Sequence, residues 1–157
     1  MFEQTFKALD DIMFQEAGCN SELDYAEQSS WMLFLKYLDD LEEEREAEAL
    51  MANIPFVPLF EPQYRWSAWA TPKTTDGKPD LDNMRIGQDL VDFVNNDLMA
   101  YLRGFKNAGS DPFSIQGKIG EIFGEVRNKF GNGYMLRDAL DKIDELNFGT
   151  QDQKSEL

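Results

Sequence analysis

Histidine is absent from this chain, and cysteine occurs once, at position 19. The first absence removes Ser-His-Asp and Cys-His catalysis, together with the usual nitrogen ligands for zinc or iron. The lone Cys19 has no internal partner for a disulfide, which fits a reducing cytoplasm. No apolar run approaches the ~20 residues needed to span a bilayer. Glu3, Asp10 and Asp11 near the start exclude the basic, then apolar, pattern of a secretory signal. Phosphate-binding loops are missing too, with no GxxxxGK[ST] and no GxGxxG after a strand. Only carboxylates remain as metal ligands, and these suit magnesium or calcium. Their densest run is Asp76-Gly77-Lys78-Pro79-Asp80-Leu81-Asp82. It lacks the EF-hand glycine and terminal Glu, and reads as a solvated turn before it reads as a metal site.

Charge is abundant but uneven. The 157 residues carry a net charge of −15. Residues 1–62 hold 15 acidic and 3 basic groups; residues 63–157 hold 15 and 12. Within 103–137 the sign reverses, with Arg103, Lys106, Lys118, Arg127, Lys129 and Arg137 against Asp111, Glu121 and Glu125. Long-range repulsion from DNA follows for the whole chain, so any nucleic-acid contact falls to the second half or is imposed by a partner. Hydrophobic content of 42% with 13% aromatics supports one folded domain with a true core.

The strongest periodic signal is Trp31, Phe34, Leu35, Leu38 and Leu41, one apolar face at period 3.6. It predicts a helix from about Glu22 to about Ala52, opened by a capping box at Ser21 and Asp24. Its second half carries Asp39, Asp40, Glu42, Glu43, Glu44, Glu46 and Glu48 against Arg45. Acid there opposes the helix dipole, so that half should fray or bend unless something packs on it. The run 39–48 reads first as a solvated face and second as a binding surface. Before it, Phe2, Phe6, Leu9 and Met13 predict a first helix to about Glu16, stopped at Gly18.

Pro55, Pro58 and Pro62 break the next stretch. The apolar residues between them predict a loop packed across the helices, with Tyr64 to Trp69 as a short helix. Ile86 to Phe105 predicts a third long helix, capped by Asp82 or Asn83 and ended before Gly109. Asp111-Pro112 predicts the start of another, with Ile115, Ile119, Ile122, Phe123 and Val126 buried and Gly117, Gly120 and Gly124 as packing glycines. After the Gly131-Asn132-Gly133 turn, Leu136, Ala139, Leu140 and Ile143 mark a last helix, about Tyr134 to Leu146. Residues 1–149 thus form a mainly α, single helical-bundle domain of about five helices with an irregular Pro-rich middle. Residues 150–157, from Thr150, begin a further linker or helix that leads toward an absent domain.

Three segments in order, Leu33-Phe34-Leu35-Lys36, Tyr64-Arg65-Trp66 and Ile143-Asp144-Glu145-Leu146-Asn147-Phe148, resemble the N-terminal helical domain of the modification (methyltransferase) subunits of type I restriction–modification systems. The resemblance covers nearly the whole chain. It implies a full-length adenine-specific DNA methyltransferase that uses S-adenosylmethionine. It also implies a cytoplasmic complex with a specificity subunit, a second modification subunit and a restriction subunit, closed around DNA and linked to sensing of methylation. The cofactor loop and the Asn-Pro-Pro-aromatic motif are not in this chain, so no catalytic, cofactor or metal residue carries over, and the chain alone is not expected to methylate.

Candidate phosphate contacts are Arg103, Lys106, Lys118, Arg127 and Lys129, with Lys73 and Lys78 as second choices. Tyr64, Arg65, Trp66 and Trp69 are core residues first and interface candidates second. Two other readings stay open: an acidic protein–protein module working through the 39–48 face, and a DNA mimic. The clustering of acid in the first 62 residues argues against the mimic.

Overall fold

The computed structural model describes residues 2–107 and 113–146. The chain opens with α1 (Phe2–Gln15) and the long α2 (Glu22–Met51). After the Pro-rich segment come α3 (Trp66–Trp69) and α4 (Gly87–Asp92). A π-helical stretch, Phe93–Leu98, joins α4 to α5 (Met99–Gly104), and α6 (Ile115–Glu125) and α7 (Gly133–Asp144) follow. The protein is mainly α; its only β feature among the described residues is an isolated antiparallel bridge between Lys73 and Pro79.

The expected α2 forms almost to the residue. Ser21 Oγ accepts the Asp24 amide at 3.2 Å, while the Asp24 carboxylate accepts the amide of Asn20 rather than that of Ser21. Thirty residues at 1.5 Å each make a rod of about 45 Å. Trp31, Met32, Leu35 and Leu38 are buried, and α7 and α3 pack on this helix. Each such side chain taken from water stabilises the fold by roughly 1.5–3 kcal/mol. Its acidic half stays helical to Met51 rather than fraying, and there Asp39 and Glu42 turn inward and are engaged by Arg65. The solvated-face reading of 39–48 therefore holds for Glu43, Glu46 and Glu48 and fails for Asp39 and Glu42. The helix ends in a Schellman motif: Asn53, at φ 56°, takes the left-handed position, and the amides of Ile54 and Asn53 bond to the carbonyls of Ala49 and Leu50.

The Pro-rich segment packs less than expected. Phe60 is buried and Phe56 and Leu59 partly so, but Ile54 and Val57 face solvent. The third long helix forms with a change of winding. Phe93, Val94, Leu98, Met99 and Leu102 all reach the core while Asn95, Asn96 and Asp97 stay outside. The wider π turn supplies the extra residue this pattern needs. Its start is Gly87, not Asp82 or Asn83; Ile86 precedes it with no side-chain cap.

Helix α6 is capped by Ser114, whose Oγ accepts the Gly117 amide at 3.0 Å. It buries Ile119 and Phe123 but leaves Ile122 exposed. Gly120 is a packing glycine, since a Cβ there would lie 2.3 Å from the Lys106 backbone nitrogen; Gly124 meets nothing within 4 Å. Asn132 caps α7 through bonds from the amides of Tyr134 and Met135. Leu136, Ala139, Leu140 and Ile143 form its buried stripe as the periodicity requires. Gly109, Asp111-Pro112, Asn147-Phe148 and everything from Gly149 onward lie outside the described residues.

Candidate functional site

The three resembling segments meet in space. Asp144, at the end of α7, accepts hydrogen bonds from Trp66 Nε1 (3.0 Å), Thr71 Oγ1 (2.8 Å) and Lys73 Nζ (2.7 Å). Lys36 of α2 lies 3.9 Å from the same carboxylate and 2.7 Å from Asp40. Burial pushes the Asp144 carboxyl up, but the bonds from Lys73, Trp66 and Thr71 outweigh it and hold the group below its ordinary range. One carboxylate thus ties α7 to α3 and α2.

Beside it, Arg65 reaches along α2. Its Nε lies 3.2 Å from Asp39 and 3.4 Å from Glu42, and its Nη1 lies 3.6 Å from Glu46. Glu42 also accepts the Leu59 amide, which pins the returning Pro-rich segment. Desolvation of Asp39 pushes its carboxyl up to about 6, with the Arg65 charge opposing the rise. Tyr64 stacks on Tyr101 at 3.8 Å. Trp66 and Trp69 are 2% and 3% exposed and meet edge to face at 5.7 Å. These two indoles belong to the core rather than to an exposed interface, because their rings fill the space between α3, the π-helical stretch and the end of α7.

The basic candidates divide. Arg103 Nε donates to the carbonyl of Phe123 at 3.0 Å, and its second nitrogen reaches Val126 O at 3.5 Å. Arg127 Nη1 reaches the carbonyls of Gly124 at 3.4 Å and Val126 at 3.3 Å. Both guanidinia therefore sit together at the C-terminal end of α6, where unpaired carbonyls and the negative dipole end favour cations. Burial, then the Arg127 charge, lowers the Arg103 pKa. Neither guanidinium pairs with a carboxylate among the described residues. Lys106 and Lys118 are exposed on the same α5–α6 unit. Lys129 is tied to Asp24, and Lys73 to Asp144. Lys78 is exposed in the turn closed by Thr74 N to Lys78 O at 2.8 Å.

Gln28 escaped the sequence reading. It is wholly buried on the apolar side of α2, one turn before Trp31. Its Nε2 donates to Arg127 O at 2.8 Å, and its Oε1 accepts Trp31 Nε1 at 2.9 Å and the Lys129 amide at 3.0 Å. A glutamine in line with Trp31 was the available signal. It fixes the backbone that carries Arg127.

Residues 3–146 match the family described as the HsdM N-terminal domain. The chain belongs to that family. All three converging segments begin inside the match. The methylase subunit of the type I restriction enzyme EcoEI from Escherichia coli is 32% identical over 148 residues, which cover 94% of this chain and 27% of that protein. A modification subunit assigned to a type I restriction enzyme from Vibrio vulnificus YJ016 has the same fold, with a TM-score of 0.83 at 32% identity over 98% of this chain and 32% of that one. A chain from a structural study of complex assembly and conformational transition in the type I restriction–modification system gives 0.70 at 31% identity, over 97% of this chain and 27% of that one. The HsdM N-terminal domain seen here therefore corresponds to a minor part of each relative's length.

Proposed function

We propose that this HsdM N-terminal domain serves assembly and DNA clamping in a type I modification subunit, and performs no methyl transfer itself. In this reading the specificity subunit, a second modification subunit and the restriction subunit are its partners. Transfer of a methyl group from S-adenosylmethionine to adenine belongs to a catalytic domain outside this chain. Closure of the clamp is the step at which methylation state would be sensed.

The supporting observation is the pairing of Arg103 and Arg127 at the end of α6, without carboxylate partners among the described residues, in a chain of net charge −15. The carbonyls at the end of α6 hold both guanidinia but no carboxylate among the described residues neutralises them, so their charge is available to an anion, and phosphate is the anion that a DNA clamp supplies. Lys106 and Lys118 are exposed and join the arginine pair in this reading as further phosphate contacts. Lys73 and Lys129 are less suited, because each already neutralises a carboxylate.

The test is Arg103→Glu with Arg127→Glu in the full-length subunit, assembled with its specificity subunit. DNA affinity should fall by at least roughly tenfold at fixed salt while the assembly still elutes intact. Unchanged affinity in an intact assembly rejects the DNA side assigned here.

A further inference from the structure

Helix α1 and the first turns of α2 leave an open groove of about 480 Å³ between them. Phe6 and Asp10, one turn apart, form its α1 side, and the α2 side runs from Glu22 past Tyr25 to Leu33. That run follows α2 for about 16 Å. The two ends differ. At one, Phe6 and Leu33 are half-buried and both pack on Leu146. At the other, Asp10 and Glu22 are exposed carboxylates. Between the ends the floor holds Ala26 and Ser30, whose short side chains let another helix come close to α2.

The lining itself names the chemistry of the occupant. Asp10 and Glu22 are its charged side chains, and no lysine or arginine lines it. Neither carboxylate has a hydrogen bond or ion pair among the described residues. Burial, then the charges of Asp11 and Glu22, push the Asp10 carboxyl up, and no cation opposes the rise. A cation entering between two neighbouring like charges relieves their repulsion. Ser29 makes a second demand. It lines the groove at 6% exposure, yet its hydroxyl has no hydrogen-bond partner among the described residues, whereas Ser30 Oγ beside it donates to the Ala26 carbonyl at 2.6 Å. A hydroxyl so buried and unpaired is costly, which favours an occupant that brings a polar atom to it. Apolar wall at one end and unpaired acid at the other fit a helix that is apolar on one face and carries lysine or arginine at one end of that face.

We propose that the α1–α2 groove seats such an amphipathic helix of a protein partner, with apolar residues beside Phe6 and Leu33 and a lysine or arginine between Asp10 and Glu22. The inference gives the assembly reading a surface and rests on that reading only for the source of the helix. The arginine pair at the end of α6 has no part in it.

The probe is a labelled helical peptide of about 18 leucines, alanines and lysines, with leucine and alanine on one face at helical spacing and lysine at one end of it. It is titrated against the whole 157-residue chain by fluorescence anisotropy. A scrambled peptide of equal composition is the comparison. The facial peptide should bind roughly tenfold tighter than the scrambled one. Asp10→Asn with Glu22→Gln should erase that preference, while Glu43→Gln with Glu48→Gln, which removes exposed acid elsewhere on α2, should leave it. Ala26→Phe, at an exposed position that fills the groove, should weaken the facial peptide roughly tenfold without lowering the Tm. Equal binding of the two peptides, equal effects of the two neutralised pairs, or full affinity in a folded Ala26→Phe chain overturns the proposal. A concentration-dependent dimer dissolved by Ala26→Phe would assign the groove to a second copy and overturn it as well. Because no DNA is present, failure here leaves the salt and affinity tests of the arginine pair standing, and their failure leaves this one.

Discussion

Trp66 Nε1 donates to Oδ1 of Asp144 at 3.0 Å across 78 residues of chain. That bond closes the domain, because it fastens the short α3 to the end of α7, with Lys36 and Lys73 beside the same carboxylate. Breaking a buried charge network by removing one partner costs more than its net contribution, since the remaining groups are left desolvated.

Asp144→Ala should therefore destabilise the domain by about 3 kcal/mol in urea unfolding. The pH dependence has a definite sign. The folded carboxyl titrates below its ordinary value, so its stabilisation is present above the unfolded value near 3.8 and is lost as pH falls through the folded one. Asp144→Asn should flatten that acid limb. A mutant with an unaltered acid limb would remove Asp144 from the network.

Asp39 behaves oppositely. Its folded carboxyl is raised to about 6 from 3.8, so its favourable contribution is full below pH 3.8 and is lost as pH rises through 6. Relative to the native chain, Asp39→Asn should gain stability as pH increases from 4 to 7. Thermal unfolding across that range measures the difference, and a difference that runs the other way refutes the buried assignment of Asp39.

Within α6 two glycines give an internal comparison. Gly120→Ala forces a methyl against the Lys106 backbone and should cost roughly 1–3 kcal/mol. Gly124→Ala meets open space and should stabilise by about 0.5–1 kcal/mol through helix propensity. Equal effects in denaturant unfolding would contradict the close approach of the segment 105–107 to α6.

The stripes of α2 and α7 were legible because burial on a helix face follows directly from spacing, and every residue from Leu136 to Ile143 assigned to the core is there. The fate of Asp39 and Glu42 was not legible, because it depends on Arg65, which lies 26 residues beyond Asp39. Nor was the π turn, since Phe93, Val94 and Leu98 satisfy an α pattern nearly as well. Ile122 and Val57 fit apolar patterns but remain exposed, because no described element covers them. The sign reversal over 103–137 was visible; which of its cations keep their charge unspent required the partners Asp24 of Lys129 and Asp141 of Arg137.

The most direct test of the functional account is the salt dependence of DNA binding by the assembled full-length subunit. Removing one cation that neutralises a phosphate lowers the slope of log K against log salt by about 0.9. Arg103→Gln with Arg127→Gln should lower it by nearly 2, while Lys73→Gln with Lys129→Gln should leave it unchanged. An unaltered slope for the arginine pair, or an equal drop for both pairs, would contradict the placement of DNA at the end of α6.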